Sequence, residues 1–375
     1  AHDFWNDMPI DFNKDDLNKE IVKLTENKTY TDKPMTLPGK LSWYDINLDT
    51  DSDMIVDFLN SNYHENSSSI RFIFNKELLH WLLNYDNRNK KLSIGVKFKN
   101  KLVGCIFGLH RNLNLNNQKI SGVETNLLCL EKKIRNLKIA PLMIQELTRR
   151  VNYDLKINQS IYTTSLELPN KISSTNYLYR FINVRKMLDL GFISKDLEND
   201  LGFDKIVDYY HNMRGKIKGK VLLIDQLSQD QIIECMNLLN NFISESKLGY
   251  YFDENLFRHT FINNSTKTWV IINKNKITDM ISCYFQDSMV DDVNRIKNCN
   301  LYYYFNNKNK LEHLVNIVIK YSINKNIDRI KVLKILDYDI LDNYNFDSGC
   351  THINFYIYNW YSKNILKKNI SYFVF

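Results

Sequence analysis

ETNLLCLEKKIRNLKIAPLMIQELTRR, residues 124–150, is the stretch on which the reading of this 375-residue chain turns. It has three parts. Residues 127–130 are an apolar run of strand length. Lys132, Lys133, Arg135 and Lys138 follow in a short basic turn. Ala140 and Pro141 then open a helix that carries Leu142, Ile144 and Leu147 on one face and ends near Arg149 and Arg150. Proline suits a first helical turn, because its missing N–H is one the helix would leave unpaired anyway. A strand, a cationic turn and a fresh helix N-terminus make a site for phosphate, since the free N–H groups and the helix dipole point where the cations do. A surface loop with solvated lysines is the plainer reading of the same residues, and the stretch alone fits both.

The flanking sequence organises around it. Residues 92–98 and 101–110 alternate apolar positions about a tight turn at Lys99 and Asn100, the pattern of a hairpin, and residues 119–130 form the next strand. Upstream, residues 41–48 read as a strand leading into a helix near 54–62. Residues 63–69 read as a loop, 70–74 as a short aromatic β segment and 77–83 as a helix. Downstream, residues 160–168 are β-rich, and a helix is expected over 175–188 with Gly191 helping to stop it. Hairpin, strand, basic turn, helix, strand, helix is similar to the order of an acetyltransferase-like lobe that binds acyl-CoA. In that fold the CoA pyrophosphate sits on the turn before the central helix, which is here the turn of Arg135, Lys138 and Ala140. The second half repeats the theme loosely. It reads as a helix over 230–244, a hairpin of 269–273 and 276–285, a strand over 300–305, a helix over 311–323, a strand over 328–333 and a last strand over 352–358. It lacks a basic turn, so only one of the two lobes is expected to take CoA. With no Pro- or Gly-rich linker, the boundary is placed near 195–201, giving an N-terminal lobe of residues 1–195 and a C-terminal lobe of 196–375.

Composition bounds the function. The length suffices for a large core and the apolar and aromatic content is that of a globular protein. The net charge of +7 is spread along the chain, suits an anionic ligand as well as nucleic acid, and has no nucleic-acid motif behind it. The six cysteines stand singly, with no C-x-x-C and no zinc or disulfide spacing, so reduced thiols, a cytoplasmic setting and no metal are expected. Neither a signal peptide nor an apolar run of spanning length is read. The chain opens on Ala1 and not on Met, so an N-terminal extension is expected to precede it. Phe4 and Trp5, an aromatic pair in a polar N-terminal segment, are expected to dock on something.

In several places, in order along almost the whole chain, the sequence resembles the N-myristoyltransferase (glycylpeptide N-tetradecanoyltransferase) family. The family carries a segment close to E-x-N-F-L-C-V-H-K-K-L-R-x-K-R-x-A-P, which Glu124, Asn126, Leu128, Cys129, Lys132, Lys133, Arg135, Ala140 and Pro141 match, and its following T-R-R is Thr148, Arg149 and Arg150. Its F-W is Phe4 and Trp5, its T-L-P is Thr36, Leu37 and Pro38, and its N-Y and F-R-F fall on Asn62 with Tyr63 and on Ile70, Arg71 and Phe72. Its Y-T-A-G falls on Tyr162 to Ser165 and its L-Y-N-W on Ile357 to Trp360.

The resemblance implies an α/β fold with a mixed sheet: two acetyltransferase-like (GNAT-type) lobes related by a pseudo-two-fold axis about a saddle-shaped central sheet. It implies a monomer that takes myristoyl-CoA as co-substrate and acylates the amine of an N-terminal glycine in peptides and proteins. The oxyanion donors would be the main-chain N–H groups of Leu127 and Leu128, for which Leu in place of the family's Phe matters little. Asn126 and Thr163 would hold the amine. The base would be the C-terminal carboxylate, on Phe375, drawn inward by the apolar residues before it; burial without a counter-charge makes such a group a better base. The acyl-CoA site so implied takes in Phe4, Trp5, Asn62, Tyr63, Leu128 and Leu130. It continues through the turn from Arg135 through Asn136, Leu137, Lys138, Ile139 and Ala140 to Pro141, and adds Thr148 and Tyr162. The implied peptide site takes in Glu65, Phe72, Phe74, Tyr177, Tyr179, Ser282 and Cys350.

Three departures bear on the peptide. The family's acidic run after N-Y is reduced to Glu65 among His64, Asn66 and serines, so preference for a basic peptide is expected to be weaker. Its F-G-x-G-D-G reads Phe346, Asp347, Ser348, Gly349, Cys350, Thr351, and its Y-W-H-R reads Tyr177, Leu178, Tyr179, Arg180. The CoA turn loses one cation at Leu137. Acyl-CoA binding is therefore expected to be kept and peptide preference to have drifted. Two other functions fit the same residues: an acyltransferase of different chain length or one acting on lysines, and an acyl-CoA-binding protein without turnover.

Overall fold

The computed structural model describes residues 21–23, 30–63, 70–84 and 87–373. Phe4, Trp5, Glu65 and Phe375 lie outside the described residues. The chain is mixed α/β and divides into two compact units. These units do not follow the linear boundary expected at 195–196. The first comprises residues 1–174, 246–251 and 353–375, the second 175–245 and 252–352. The stretch near which the boundary was expected is the helix Lys195–Leu201.

In the first unit the hairpin Ser93–Phe98 and Lys101–Leu115 runs on into Gln118–Leu130. Asn116 and Asn117 both have positive φ at the second turn, as a two-residue hairpin turn requires. The helix Ile139–Leu155 follows, and carries the chain to Ser160–Thr164, which pairs parallel with Gln118–Leu130. The outer partners come from far along the sequence. Leu248–Tyr250 adds antiparallel to the end of Lys101–Leu115 and parallel to Ile370–Ser371, and the second half of Asp347–Tyr358 pairs antiparallel with Ser160–Thr164. The strand ending at Tyr358 is thus not the last, since Trp360–Ser362 and Ile370–Ser371 follow.

The helix Ile139–Leu155 buries Ile139, Met143, Leu147 and Val151, a strict every-fourth-residue row, against Leu92, Ile94, Val96 and Ile106. The expected face of Leu142, Ile144 and Leu147 is therefore rotated, with Leu142 and Ile144 only half-buried. Gly108 lets the helix come this close: a Cβ there would lie 2.8 Å from Leu147 Cδ1.

In the second unit the same order recurs. The hairpin Thr266–Asn273 and Lys276–Phe285 is followed by Asn298–Asn306, then the helix Leu311–Asn324, then Arg329–Leu333, parallel to Asn298–Asn306. The helix expected over 175–188 is instead mostly the strand Ser173–Phe181, antiparallel to Arg329–Leu333, and only Val184–Asp189 is helical. Ser173, Thr175, Leu178 and Arg180 are its buried residues along with Phe181. Three of them are polar, so the buried set does not show as hydrophobic periodicity. Arg180 is fully buried and gives its guanidinium to the carbonyls of Tyr210, Tyr344 and Asn212.

The turn before each unit's parallel-crossover helix is finished differently. In the second unit the buried Asp279 carboxylate accepts the main-chain N–H groups of Asn307 (2.9 Å), Lys308 (3.0 Å) and Asn309 (2.9 Å) on one oxygen. A row of main-chain N–H groups of this kind is an anion-binding concavity, and here the anion is part of the chain.

Candidate active site

In the first unit the corresponding turn carries no such plug among the described residues. Lys132–Leu137 is a turn of 3-10 helix, and Lys138 reverses into the left-handed region (φ 56, ψ 31) to start the helix Ile139–Leu155. No side chain caps that helix. Its first N–H groups therefore keep their capacity for an outside acceptor, with the helix dipole behind them. Lys132, Lys133, Asn136, Leu137 and Lys138 are exposed, and the three lysines make no ion pair among the described residues. Arg135 has a second duty: its Nε donates to Leu130 O (3.1 Å) and its Nη2 to Asn62 O (2.7 Å), tying the turn to the end of the helix Leu48–Asn62. Beside that helix end, Tyr63 packs edge-on against Phe74 at 5.6 Å. The Thr148 hydroxyl is turned back on its own helix, donating to Ile144 O (2.8 Å).

Just before the turn the strand Gln118–Leu130 is kinked. Its register with Lys101–Leu115 jumps from Phe107↔Asn126 to Cys105↔Cys129, which leaves Leu127 and Leu128 facing Ile106 alone. Leu127 takes φ 49. A non-glycine residue in the left-handed region is held there against roughly 1 kcal/mol or more. Most such residues here are Lys or Asn at turns or element ends, whereas Leu127 lies inside a strand. The parallel ladder to Ser160–Thr164 holds only Val123↔Ser160 and Glu124↔Ile161, although both strands continue past these pairs. The two strands part at this level, with Asn126, Leu127 and Leu128 on one side and Tyr162 and Thr163 on the other. Tyr162 stacks on Tyr356 at 5.1 Å, and Thr163 is half-buried opposite Phe355.

Polar groups fix the kink. Asn126 Oδ1 accepts the Leu127 N–H at 2.8 Å, and Asn126 Nδ2 donates to Glu124 Oε1 at 3.1 Å. Glu124 is fully buried; its Oε2 accepts from Arg111 Nε (3.2 Å) and from the Tyr250 hydroxyl (2.6 Å). Tyr372 packs edge-on to Tyr250 at 5.3 Å, and burial, with the Glu124 charge adding to it, pushes its hydroxyl well above the usual phenol range. Arg111, Tyr250 and Tyr372 were not expected at this site from sequence, and Glu124 was matched without a role. An arginine inside the long strand Lys101–Leu115 was the available signal. Cys105 and Cys129, paired across the kink, are buried thiols: burial pushes Cys129 up to about 12, despite the Arg135 charge.

The residues expected to face a peptide are divided between the units. Phe72 is half-buried and Phe74 buried in the first unit. In the second unit, Tyr177 and Tyr179 are half-buried on the strand Ser173–Phe181, with Lys331 Nζ 4.0 Å from the Tyr177 ring centroid and the Arg329 guanidinium 5.0 Å from that of Tyr179. Gly349 is pressed under Tyr179, where a Cβ would lie 2.6 Å from Cε2, and Cys350 beside it is exposed. Ser282 is a correction. It is fully buried and donates its hydroxyl to Tyr303 O (2.8 Å), so it presents nothing to a ligand.

Among the described residues no group of three or more His, Cys, Asp or Glu is placed to hold a metal ion, and no helix is long and apolar enough to cross a membrane. Residues 20–175 match the family description "Myristoyl-CoA:protein N-myristoyltransferase, N-terminal domain", and residues 211–371 match that of its C-terminal domain. A glycylpeptide N-tetradecanoyltransferase of Plasmodium falciparum is 29% identical over 372 residues, 95% of this chain and 89% of that one. Its Saccharomyces cerevisiae counterpart is 27% identical over 322 residues, 81% of this chain and 70% of that one. The crystal structure of Saccharomyces cerevisiae N-myristoyltransferase with bound myristoyl-CoA superimposes with TM-score 0.86 at 23% identity, covering 100% of this chain and 95% of that one. A GCN5-related N-acetyltransferase from Anabaena variabilis shares the fold at TM-score 0.50 and 8% identity, over 84% of this chain and 72% of that one.

Proposed function

This chain belongs to the myristoyl-CoA:protein N-myristoyltransferase family, and on that premise we propose that it transfers myristoyl from myristoyl-CoA to the amine of an N-terminal glycine. The observation that carries the reading is local to the first unit. A helix start without a side-chain cap, rimmed by lysines that make no ion pair among the described residues, lies directly after a strand kinked at Leu127, at the level where two parallel strands part.

The phosphates of CoA are read onto the start of the helix Ile139–Leu155, with Lys132, Lys133 and Lys138 as counter-charges and Arg135 holding the turn in shape. The thioester carbonyl is read against the kink. As the glycine amine attacks, negative charge gathers on that oxygen, and main-chain N–H groups at Leu127 and Leu128 stabilise it, the former once Asn126 Oδ1 has released it. Asn126 and Thr163 hold the amine. The ammonium must lose a proton before it attacks, and we assign that role to the Phe375 carboxylate. The carbon–nitrogen bond forms, the nitrogen gives up its second proton as the carbon–sulfur bond breaks, and CoA leaves as the thiol with one of the two protons while the other passes to solvent.

On the peptide side, cations stand behind Tyr177 and Tyr179. They favour a wall that discriminates little for basic residues, in keeping with the single acid left at Glu65. We read the enzyme as a cytoplasmic monomer working without metal.

Mass spectrometry of a Gly-started peptide incubated with myristoyl-CoA and the protein tests the reading: a mass gain of one myristoyl group on the N-terminal amine is expected. The same assay on the chain lacking Phe375 should lose most of the rate while acyl-CoA binding persists. A lysine-acylated product, or acyl-CoA binding with no transfer in the full chain, would replace this reading with one of its rivals.

A further inference from the structure

The kink at Leu127 is not held by Asn126 alone. An amide can bond through either end, and its two ends differ only in chemistry: the NH2 donates and the oxygen accepts. An ionised carboxylate accepts only. Glu124 Oε1 therefore selects the NH2 end of Asn126, and the Asn126 oxygen is left facing the Leu127 N–H. Glu124 is itself fixed from the other side by Arg111 Nε and the Tyr250 hydroxyl, which converge on its second oxygen. The chain of contacts runs from the strand Leu248–Tyr250, through a buried charge, to the strained backbone of the candidate oxyanion site.

We propose that Glu124 is a positioning residue of acyl transfer. It fixes the Asn126 amide with its oxygen toward Leu127, so that one swing of that oxygen yields both groups the reaction needs. The Leu127 N–H becomes available to the thioester oxygen, and the Asn126 oxygen becomes available to the incoming amine, while the NH2 end stays anchored on Glu124. Acyl-acceptor and acyl-donor ends of the site are thereby prepared together. Were the amide reversed, its NH2 would face the Leu127 N–H, donor against donor, and would offer the attacking amine no acceptor. A buried carboxylate paired with arginine contributes little net stability compared with an apolar replacement, so its place beside the kink is better explained by the geometry it imposes.

This inference rests on the transferase reading, and the experiment separates the two. Wild-type turnover is measured first; a full chain that transfers no acyl group overturns the reading itself and the inference with it. Given turnover, Glu124→Gln, whose new NH2 group permits the amide to reverse, is expected to lower kcat on the order of 10- to 100-fold, with the acyl-CoA dissociation constant unchanged. Tyr250→Phe removes one donor to the carboxylate and leaves Arg111 and the Tyr372 hydroxyl, so it guards against a misfolded Glu124 variant; its kcat should fall in the same direction by less. Each change is repeated in an Asn126→Ala background. If Glu124 acts through Asn126, neither change lowers kcat further there, whereas a role in general stability makes the losses multiply. Wild-type kcat in both single variants, or multiplying losses, overturns the proposal.

Discussion

The side-chain oxygen of Asn126 accepts the main-chain N–H of Leu127 at 2.8 Å, inside a strand where Leu127 has left-handed backbone. One short bond thus joins the residue proposed to hold the amine to the residue proposed to stabilise the oxyanion. In that proposal the site uses the backbone shape and not the leucine side chain.

Leu127→Ile tests this. The volume is conserved, but a β-branched side chain resists positive φ. The variant should lose about 1–2 kcal/mol of stability and most of its transfer rate, while still binding acyl-CoA. Leu128→Ile, at a position without positive φ, should change little. Equal behaviour of the two in thermal unfolding and turnover assays would show that the kink is not what matters.

The basic turn separates into two kinds of cation. Replacing Lys132, Lys133 and Lys138 together by Ala should raise the dissociation constant for CoA roughly tenfold at low salt, less at high salt, and leave thermal stability unchanged. Arg135→Ala should lower stability as well, because it releases the carbonyls of Leu130 and Asn62. Titration calorimetry with CoA at two salt concentrations, beside thermal melts, reads both effects.

Glu146 supplies a pH dependence. Burial pushes its carboxyl up, but hydrogen bonds from Arg149, Arg150 and the Met35 N–H outweigh burial and hold it below the usual carboxylate range. A group depressed in the folded state stabilises above its unfolded value, about 4.3 for Glu, and that contribution is lost as pH falls through the lower folded value. Glu146→Gln should therefore cost about 3 kcal/mol near neutrality and show a shallower loss of melting temperature between pH 5 and 3 than the wild type.

Asp279 predicts an unusual rescue. Asp279→Ala strips three main-chain N–H groups of their shared acceptor in the second unit. Stability should fall by about 2–4 kcal/mol, since several buried donors are left unsatisfied. Millimolar inorganic phosphate or sulfate should restore part of it in the variant and not in the wild type. A melt insensitive to both anions would mean that the turn is not an anion cradle.

Cys350 is the exposed cysteine of the six, while the other five are buried. Native-state alkylation with iodoacetamide should add a single label there, and a Gly-started peptide should slow the labelling if Cys350 faces the peptide. Two or more labels on the folded protein, seen by intact-mass measurement, would contradict the burial pattern.

Much of the first unit was legible because its strands alternate cleanly and its turn is marked by charge. The hairpin, the strand up to Leu130, the basic turn and the helix beginning near Ala140 all came from local pattern. What was hidden has a common cause. The strand Ser173–Phe181 buries Ser173, Thr175 and Arg180, so its polar interior masks the period of two. Ser282 was placed on a peptide wall by resemblance, but its neighbours across the sheet bury it. The Glu124 cluster joins residues 111, 124, 250 and 372, whose meeting is set by strand pairing and not by any spacing along the chain. The kink at Leu127 left no mark either, because leucine is not a residue that sequence reading associates with positive φ.

The interleaving of the units has a consequence for biosynthesis. A ribosome makes residues 1–174 first, yet the strand that pairs with Ser160–Thr164 and the short strand beside Leu248–Tyr250 belong to residues 353–375. The nascent chain must therefore carry an unfinished sheet edge while the whole second unit is synthesised. An unpaired edge of that kind invites association with other chains. The partners of the first unit's sheet edge thus reach it only after the second unit has been made.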